Sequence, residues 1–456
     1  MTRFCGPHGP FPVAACLLLA ALLPGGAAAQ SQAGAPARSG EAIPVYPGIL
    51  PPQTAVALAI ARRPEIRGAE AVIAQRQAEV ALARAGRWPT IQYGIGPGYG
   101  ASYGGGRNAA ALRGNAGIDM PVWDFGGMKN RIAAARGLEQ AAREDRLATA
   151  EQVARVTLAA YVDAQTAQER VAAAEATIAA MRGVADRIGQ RARAGLSDRS
   201  DVNAADIAVA RAGIEAQQAR TLAGTAMGRL IQLVGVSPGG LAPLAGSYAL
   251  TERRDRSEPD FDQAPRIKAA ERQFEAASAK VAAARAAQWP AIGIGASRTF
   301  STGAASANDS TWFGLTVRGD FSLGGTARHK VGAARAEREA AMQELGARRL
   351  EARTDWQVAE SEEQGARRRL GDLADLGSLW RATRDLYWQE YILDKRSLSD
   401  VIGAEREIHA ARAEEIAAMG EAVDAGIRAL VAQGGLVALL EQEPPAAISM
   451  PEGTSR

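Results

Sequence analysis

Cysteine is nearly missing from this chain: 456 residues hold two, Cys5 and Cys16, both near the N-terminus. A disulfide framework and a cysteine metal site are therefore excluded from the rest of the sequence. Histidine is also scarce, and His8, His329 and His409 lie too far apart to form an evident metal cluster. Aromatic residues make up only 5%, while alanine and arginine run through long stretches, a mix that favours thin helical layers over a bulky globular core. Charge of one sign is missing too. Lys and Arg number 53 against 50 Asp and Glu, a net charge of +3, so there is no basic stripe to bind nucleic acid. No Gly-x-Ser-x-Gly elbow, phosphate-binding loop, zinc spacing or paired-carboxylate site stands out. The carboxylates lie mostly at helical spacing beside arginines, where they read as surface ion pairs. Neither an enzyme nor a cofactor is expected.

The N-terminus carries an export signal. Arg3 supplies a positive start, residues 13–23 an apolar run, and Ala27-Ala28-Ala29 a small-residue cleavage site before Gln30. Both cysteines would leave with this peptide. Val13-Ala14-Ala15-Cys16 resembles a lipobox, but its apolar run follows the cysteine instead of preceding it, which argues against a lipidated Cys16. Beyond Ala29 no apolar stretch approaches the ~18–20 residues of a spanning helix. Any membrane crossing by this exported chain must use β-strands.

The rest of the chain is written twice. Residues 64–70 match residues 265–271, and Trp88-Pro89 matches Trp289-Pro290, both at an offset of 201. Gly126-Gly127 and Gly324-Gly325 are 198 apart, and Ser200-Asp201-Val202 and Ser399-Asp400-Val401 are 199 apart. A unit this large is not a short solenoid repeat. It is one of two similar halves.

Each half reads as helix, strand, loop, strand, long helix, turn, helix. Residues 53–87 are alanine-rich and helical until Trp-Pro stops them, since a proline disfavours helix in the residue before it. Alternation of period two follows: Ile91, Tyr93 and Ile95 against Gln92, Gly94 and Gly96, then a glycine-serine loop over 100–106, then Ala116, Ile118, Met120 and Val122 against Gly117, Asp119 and Pro121. The second half repeats this with Ile292 and Ile294, then with Phe313, Leu315, Val317 and Phe321 against Gly314, Thr316, Arg318 and Asp320. After each glycine pair comes a proline-free run of about 67 residues, roughly 100 Å of helix. The flanking helices are about half as long, which predicts a wall where one continuous helix runs beside two laid end to end. The expected divisions are a signal peptide (1–29), an N-terminal extended segment (30–52), the first repeat (53–235), a linker or equatorial segment (236–261), the second repeat (262–433) and a disordered tail (434–456) with Pro444, Pro445 and Pro451.

Four strands are too few to close a barrel, and closure by oligomerisation removes the exposed edges. Strands of about 10 residues match a tilted bilayer crossing. One face carries Gln92, Asp119, Thr316, Arg318 and Asp320, which suits a water-filled lumen; two ordinary hairpins on a periplasmic sheet are the simpler alternative.

The two Trp-Pro strand starts, Met120-Pro121-Val122-Trp123-Asp124-Phe125-Gly126-Gly127, and the turns over 194–202 and 391–401 give the chain its family resemblance. In their order and spacing it resembles the TolC-type outer-membrane efflux and secretion channels over nearly its whole mature length. The resemblance implies a mixed α/β membrane protein: mostly long α-helices forming a periplasmic α-barrel, plus four strands per chain contributing to a trimeric 12-stranded transmembrane β-barrel. It implies a homotrimer in the cell outer membrane, surrounded by outer-membrane lipid. Such a channel is the exit duct of a tripartite efflux or type I secretion system, opened at its periplasmic tip by an adaptor (membrane fusion) protein and an inner-membrane transporter.

By the same resemblance, Tyr391 and Arg396 of the second turn bond to Asp201 and Ser200 of the first, latching the tip. The chemistry agrees, because Arg396 to Asp201 is a charge-assisted hydrogen bond and Tyr391 can donate to the same carboxylate. The plain alternative is four solvated turn residues, Ser and Asp being favoured at helix starts. Asp400 corresponds to the family's constriction aspartate, whose three copies form a negative ring; an N-cap role is its alternative. A second aspartate, common three residues later, is replaced by Gly403, which argues against strong divalent block, and Glu405 stands nearby. Leu196, Asp198, Leu393 and Lys395 are expected adaptor contacts. Cargo is not legible, although the lack of a convincing lipobox leans toward type I secretion. The competing class is a periplasmic coiled-coil adaptor or scaffold without a barrel, which would carry one helical hairpin and no duplicated strand pairs.

Overall fold

A computed structural model describes residues 43–100, 109–252, 254, 256–301, 310–319 and 323–442. The signal peptide with Cys5 and Cys16, the loop residues 101–106, Asp320, Phe321 and the three tail prolines lie outside the described residues.

From Pro44 onward the chain forms one unit. Its elements are β1 (Val45–Leu50), α1 (Pro52–Arg62), α2 (Pro64–Ala85), β2 (Thr90–Gly100), β3 (Ala109–Trp123), α3 (Gly127–Arg193), α4 (Arg199–Val234), β4 (Ser237–Leu241), α5 (Leu244–Glu252), a 3₁₀ turn (Phe261–Gln263), α6 (Pro265–Ala286), β5 (Ala291–Ser301), β6 (Ser310–Arg318), α7 (Thr326–Ile392), α8 (Leu398–Gln433) and α9 (Leu436–Gln442). Helices α3 and α7 are each 67 residues long, and α4 and α8 are each 36. Among the described residues no helix is long and apolar enough to cross a membrane.

The helices form a layer of four columns. Helix α3 packs against α2 and α6 near the strands and against α4 and α8 further on, while α7 packs against α6 and then α8. The columns are thus α2 above α4, then α3, then α6 above α8, then α7. Small residues set the closeness of α3 to its neighbours. A Cβ on Gly137 would meet the Ala276 Cβ at 2.9 Å, and one on Gly420 would meet the Thr166 hydroxyl at 2.6 Å. The largest apolar cluster joins α1, α3, α5, α8 and α9 through Val56, Leu158, Leu244, Val423, Leu430 and Leu436.

One four-stranded antiparallel sheet, in the order β2-β3-β5-β6, joins the two halves. Pairs Ile91↔Ile118, Met120↔Ile294 and Ile294↔Leu315 place the large apolar residues on one face, where most are exposed. Gln92, Asp119, Thr316 and Arg318 share the opposite face, and Arg318 forms an ion pair with Asp119. Trp312 joins this polar face, its ring lying over Gly295 and Gly314.

Two expectations are corrected, and a third segment is given its structure. Residues 53–87 are not one helix but α1 and α2, because Pro64 holds Arg63 extended (φ −67°, ψ 129°). The segment 236–261, expected as a linker or equatorial segment, carries β4 and α5. Strand β4 pairs in parallel with β1, and Tyr161 of α3 fastens the pair by donating to the Leu50 carbonyl (2.5 Å) and accepting from the Ala242 N–H (3.0 Å). Arg254 is buried there against α7, bonded to Glu363 at 2.7 Å and to Glu360. The tail is not disordered from Gly434: α9 occupies Leu436–Gln442 because Leu436 and Leu440 bury in the main cluster. Its first turn is held by Glu151 of α3, which accepts the Val437 N–H at 3.2 Å.

Candidate functional site

The end of the layer away from the sheet holds two helix–turn–helix junctions. In the first, α3 ends at Arg193, Gly195 turns the chain at φ 73°, and α4 starts at Arg199 behind an Asp198 N-cap. The Asp198 carboxylate accepts the N–H groups of Ser200 (2.9 Å) and Asp201 (3.0 Å) and the Ser200 hydroxyl (2.5 Å). The Ser200 hydroxyl bond, then the Asp201 N–H, hold its carboxyl below the usual aspartate range. In the second, Asp394 turns the chain at φ 55° and Ser397 is the N-cap of α8. Asp400 is therefore not an N-cap. It stands in the first turn of α8, accepting the Ser397 hydroxyl at 2.8 Å with Arg396 at 3.7 Å.

The turns meet at Tyr391. Its hydroxyl donates to the Asp201 carboxylate at 2.7 Å and lies 3.0 Å from the Ser197 hydroxyl. Its ring is buried in a cluster with Met181, Val184, Ile188, Ala205 and Leu398. Burial pushes the phenol pKa up; the Ser197 bond opposes this and the Asp201 carboxylate adds to it. The Arg191 guanidinium lies 5.4 Å from the Tyr391 ring centroid and donates to the Leu196 carbonyl at 3.2 Å.

Arg396 does not join Asp201 within the chain. It donates to Glu390 at 2.7 Å and lies 3.9 Å over the Tyr387 ring, so its charge is satisfied inside its own hairpin. Ser200 likewise bonds Asp198 and does not reach Tyr391 or Arg396. Of the four expected latch residues, the structure brings together Tyr391 and Asp201. Glu405 is buried against Arg384 of α7 at 3.1 Å. Leu196 (62% exposed), Leu393 (63%), Asp198 and Lys395 project from the tip. Ser197 and Glu390, which carry much of this geometry, have ordinary sequence surroundings. The available signal is aromatic density: in a chain poor in aromatics, Tyr387, Trp388 and Tyr391 fall within five residues.

Between the tip and the β1–β4 pair, α3, α4, α7 and α8 together line a charged groove of about 940 Å³. Arg428 bridges Asp424 (2.9 Å) and Glu362 there, and Arg369 pairs with Glu421. Burial raises the pKa of Asp163 on its wall, against the pull of Arg229.

A sheet apolar on one face and polar on the other, continued by about 100 Å of helix that turns back at a tip where Tyr391 bonds Asp201, defines a channel of the outer-membrane class. The chain belongs to the outer membrane efflux protein family, whose model matches residues 55–236 and 261–428. It is similar to Protein CyaE of Bordetella pertussis, 30% identical over 328 residues, covering 66% of this chain and 69% of that protein. Its fold is similar to the outer-membrane channel OprN (TM-score 0.70, 21% identity, covering 84% of this chain and 90% of that one). It is also similar to the outer membrane protein VceC of Vibrio cholerae (TM-score 0.69, 15% identity, 84% and 96%). The protein is an outer-membrane channel with a long helical extension in the periplasm, the exit duct of an efflux or secretion system. Its four-stranded sheet, which joins both halves, is the element that a barrel-less scaffold lacks.

Proposed function

We propose that the working channel is a homotrimer in which β6 of each copy pairs with β2 of the next, so that three sets of four strands make a twelve-stranded barrel. The observation that carries this reading is the state of the edges. Within one chain β2 and β6 each have one unpaired side, and the outer helix columns expose Leu82, Ile214 and Leu222 on one edge and Leu350, Leu379 and Leu386 on the other. Two different edges meeting head to tail close a ring. The charged groove then faces the tunnel. The Tyr391–Asp201 bond holds the tip helices coiled, and three copies of Asp400 form a negative ring that favours cations. An adaptor carrying an inner-membrane transporter docks at Leu196, Asp198, Leu393 and Lys395 and opens the latch, while the channel itself performs no chemistry.

The test is single-channel conductance of detergent-extracted protein in a planar bilayer, with its mass measured by light scattering. A three-chain mass and a small, cation-selective conductance are expected. The conductance should rise several-fold in Tyr391→Phe with Arg396→Ser, and cation preference should weaken in Asp400→Ala. No channel from well-folded protein would overturn the assembly; wild-type behaviour in both variants would overturn the latch and the ring alone.

A further inference from the structure

At the junctions between sheet and helices the chain exposes aromatic rings and, directly beyond them, cations without partners. Trp88 (74% exposed), Trp123, Trp289 and Phe125 stand where the strands end, Phe125 lying between Trp123 (6.2 Å between centroids) and Trp289 (5.7 Å). Such rings settle at the level of lipid headgroups. Within about 6 Å of the helix ends come Arg84, Arg87, Lys129, Arg285, Arg328 and Lys330, all exposed. Among the described residues none of the six has a carboxylate within salt-bridge distance. The acids described at this level, Asp119 and Asp124, are already paired with Arg318 and Arg131.

Helix stability explains only part of this collar, since Arg84 and Arg285 lie in the last turns of α2 and α6, where the helix dipole favours a cation. Lys129 and Arg328 sit in the first turns of α3 and α7, with Lys330 just after, where the helix dipole disfavours cations and neither helix has an acidic residue in its first turn. We infer that the collar binds the anionic phospholipid headgroups of the periplasmic leaflet, with the arginine and lysine stems reaching back toward the aromatic rings. A basic segment beside a negatively charged leaflet gains with each charge and loses that gain within a Debye length, and these cations lie next to the strand ends that carry the aromatic rings.

The inference rests on the sheet lying in the bilayer. Its test uses the full chain reconstituted in phosphatidylcholine vesicles carrying trace spin-labelled phosphatidylglycerol or phosphatidylcholine, with association at the protein perimeter read from the motionally restricted signal. At 0.05 M salt, phosphatidylglycerol should be preferred about three- to five-fold. The preference should approach unity in 0.5 M salt and fall by about half in Lys129→Gln/Arg328→Gln/Lys330→Gln. It should survive in Arg193→Gln/Arg199→Gln, which removes two charges at the opposite end of the layer. The triple variant removes charges the helices do not use, so its circular dichroism and conductance should match wild type; should it misfold, Arg84→Gln/Arg87→Gln, at the C-terminus of α2, serves instead. Equal association of both lipids with inserted wild-type protein, or an undiminished preference in the collar variants, would overturn the assignment and leave the collar to an acidic periplasmic polymer. Protein that never enters the vesicles would overturn the membrane placement of the sheet, and the lipid assignment with it.

Discussion

Helices α3 and α7 hold equivalent places in the two halves, are both 67 residues long and begin 199 residues apart, yet their surroundings are opposite. Twenty-one residues of α3 are buried and only seven of α7, because α3 runs down the middle of the layer and α7 along its edge. At an offset of 199, buried Leu158 answers to exposed Gln357, buried Glu151 to exposed Leu350, and Ala192 to buried Tyr391. A duplicated unit thus keeps its lengths and breaks its symmetry in the side chains. One copy builds the core of the chain, and the other presents an apolar edge that a neighbouring copy can cover.

The strongest way to break this contrast is to delete core from each helix. Leu158→Ala removes a side chain from the largest apolar cluster and should cost about 3–4 kcal/mol, measured by denaturant unfolding. Gln357→Ala, at the equivalent turn of α7, should stay within about 0.5 kcal/mol. Equal losses would mean that α7 is as central as α3.

The second test uses Glu151. Burial pushes its pKa up to about 7 from 4.5; the N–H groups of Val437 and Leu436 pull it down, as does Arg266 from α6, while Glu441 of α9 pushes it up. Because the folded value lies above the unfolded one, the contribution to stability is full below about pH 4.5 and is lost as pH rises through about 7. Stability to unfolding should therefore fall by about 2 kcal/mol between pH 5 and pH 8, read by denaturant unfolding at the two pH values. Glu151→Gln keeps an acceptor for the Val437 N–H and should remove the pH dependence. A pH dependence that persists in this variant would place the switch elsewhere.

Much of the fold is legible because its signals are periodic or local. Period-two alternation gives the strands, and the repeated Trp-Pro and Gly-Gly pairs bracket each strand pair. The offset near 200 shows that there are two halves. The break at Arg63 is a matter of one proline, and it disappears in an alanine-rich stretch that reads as helix on both sides. Helix α9 is seven residues long and owes its existence to Leu436 and Leu440 finding the core, which no local pattern records. At the tip, Tyr391 had few other acceptors within reach. Arg396 had several, since Glu390, Asp400 and Asp201 all lie near the turn. The nearer Glu390 and the Tyr387 ring hold its guanidinium, so the pairing depended on the rotamer and not on the sequence.

That difference makes the third test. Tyr391→Phe keeps the buried ring and removes the bonds to Ser197 and Asp201, so it should cost the tip about 1–2 kcal/mol and raise single-channel conductance several-fold. Arg396→Ser alone removes contacts within one hairpin and should raise conductance less. The reverse order would show that Arg396 makes its decisive contact with a neighbouring copy.

The smallest test concerns the two turns. Gly195 and Asp394 occupy equivalent positions, 199 apart, with φ of 73° and 55°. Glycine takes this left-handed conformation freely, whereas an aspartate there is strained, though less so than most residues. Asp394→Gly should therefore stabilise the second hairpin by about 0.5 kcal/mol, the relief of strain slightly exceeding the entropy that glycine adds to the unfolded chain. Gly195→Ala should cost about 1 kcal/mol at the first turn, because alanine has no side-chain group to offset the strain. Thermal unfolding of the two single variants measures both. If Asp394→Gly destabilises instead, the carboxylate itself holds the second turn, and the two copies have diverged in how their chains reverse as well as in what they bury.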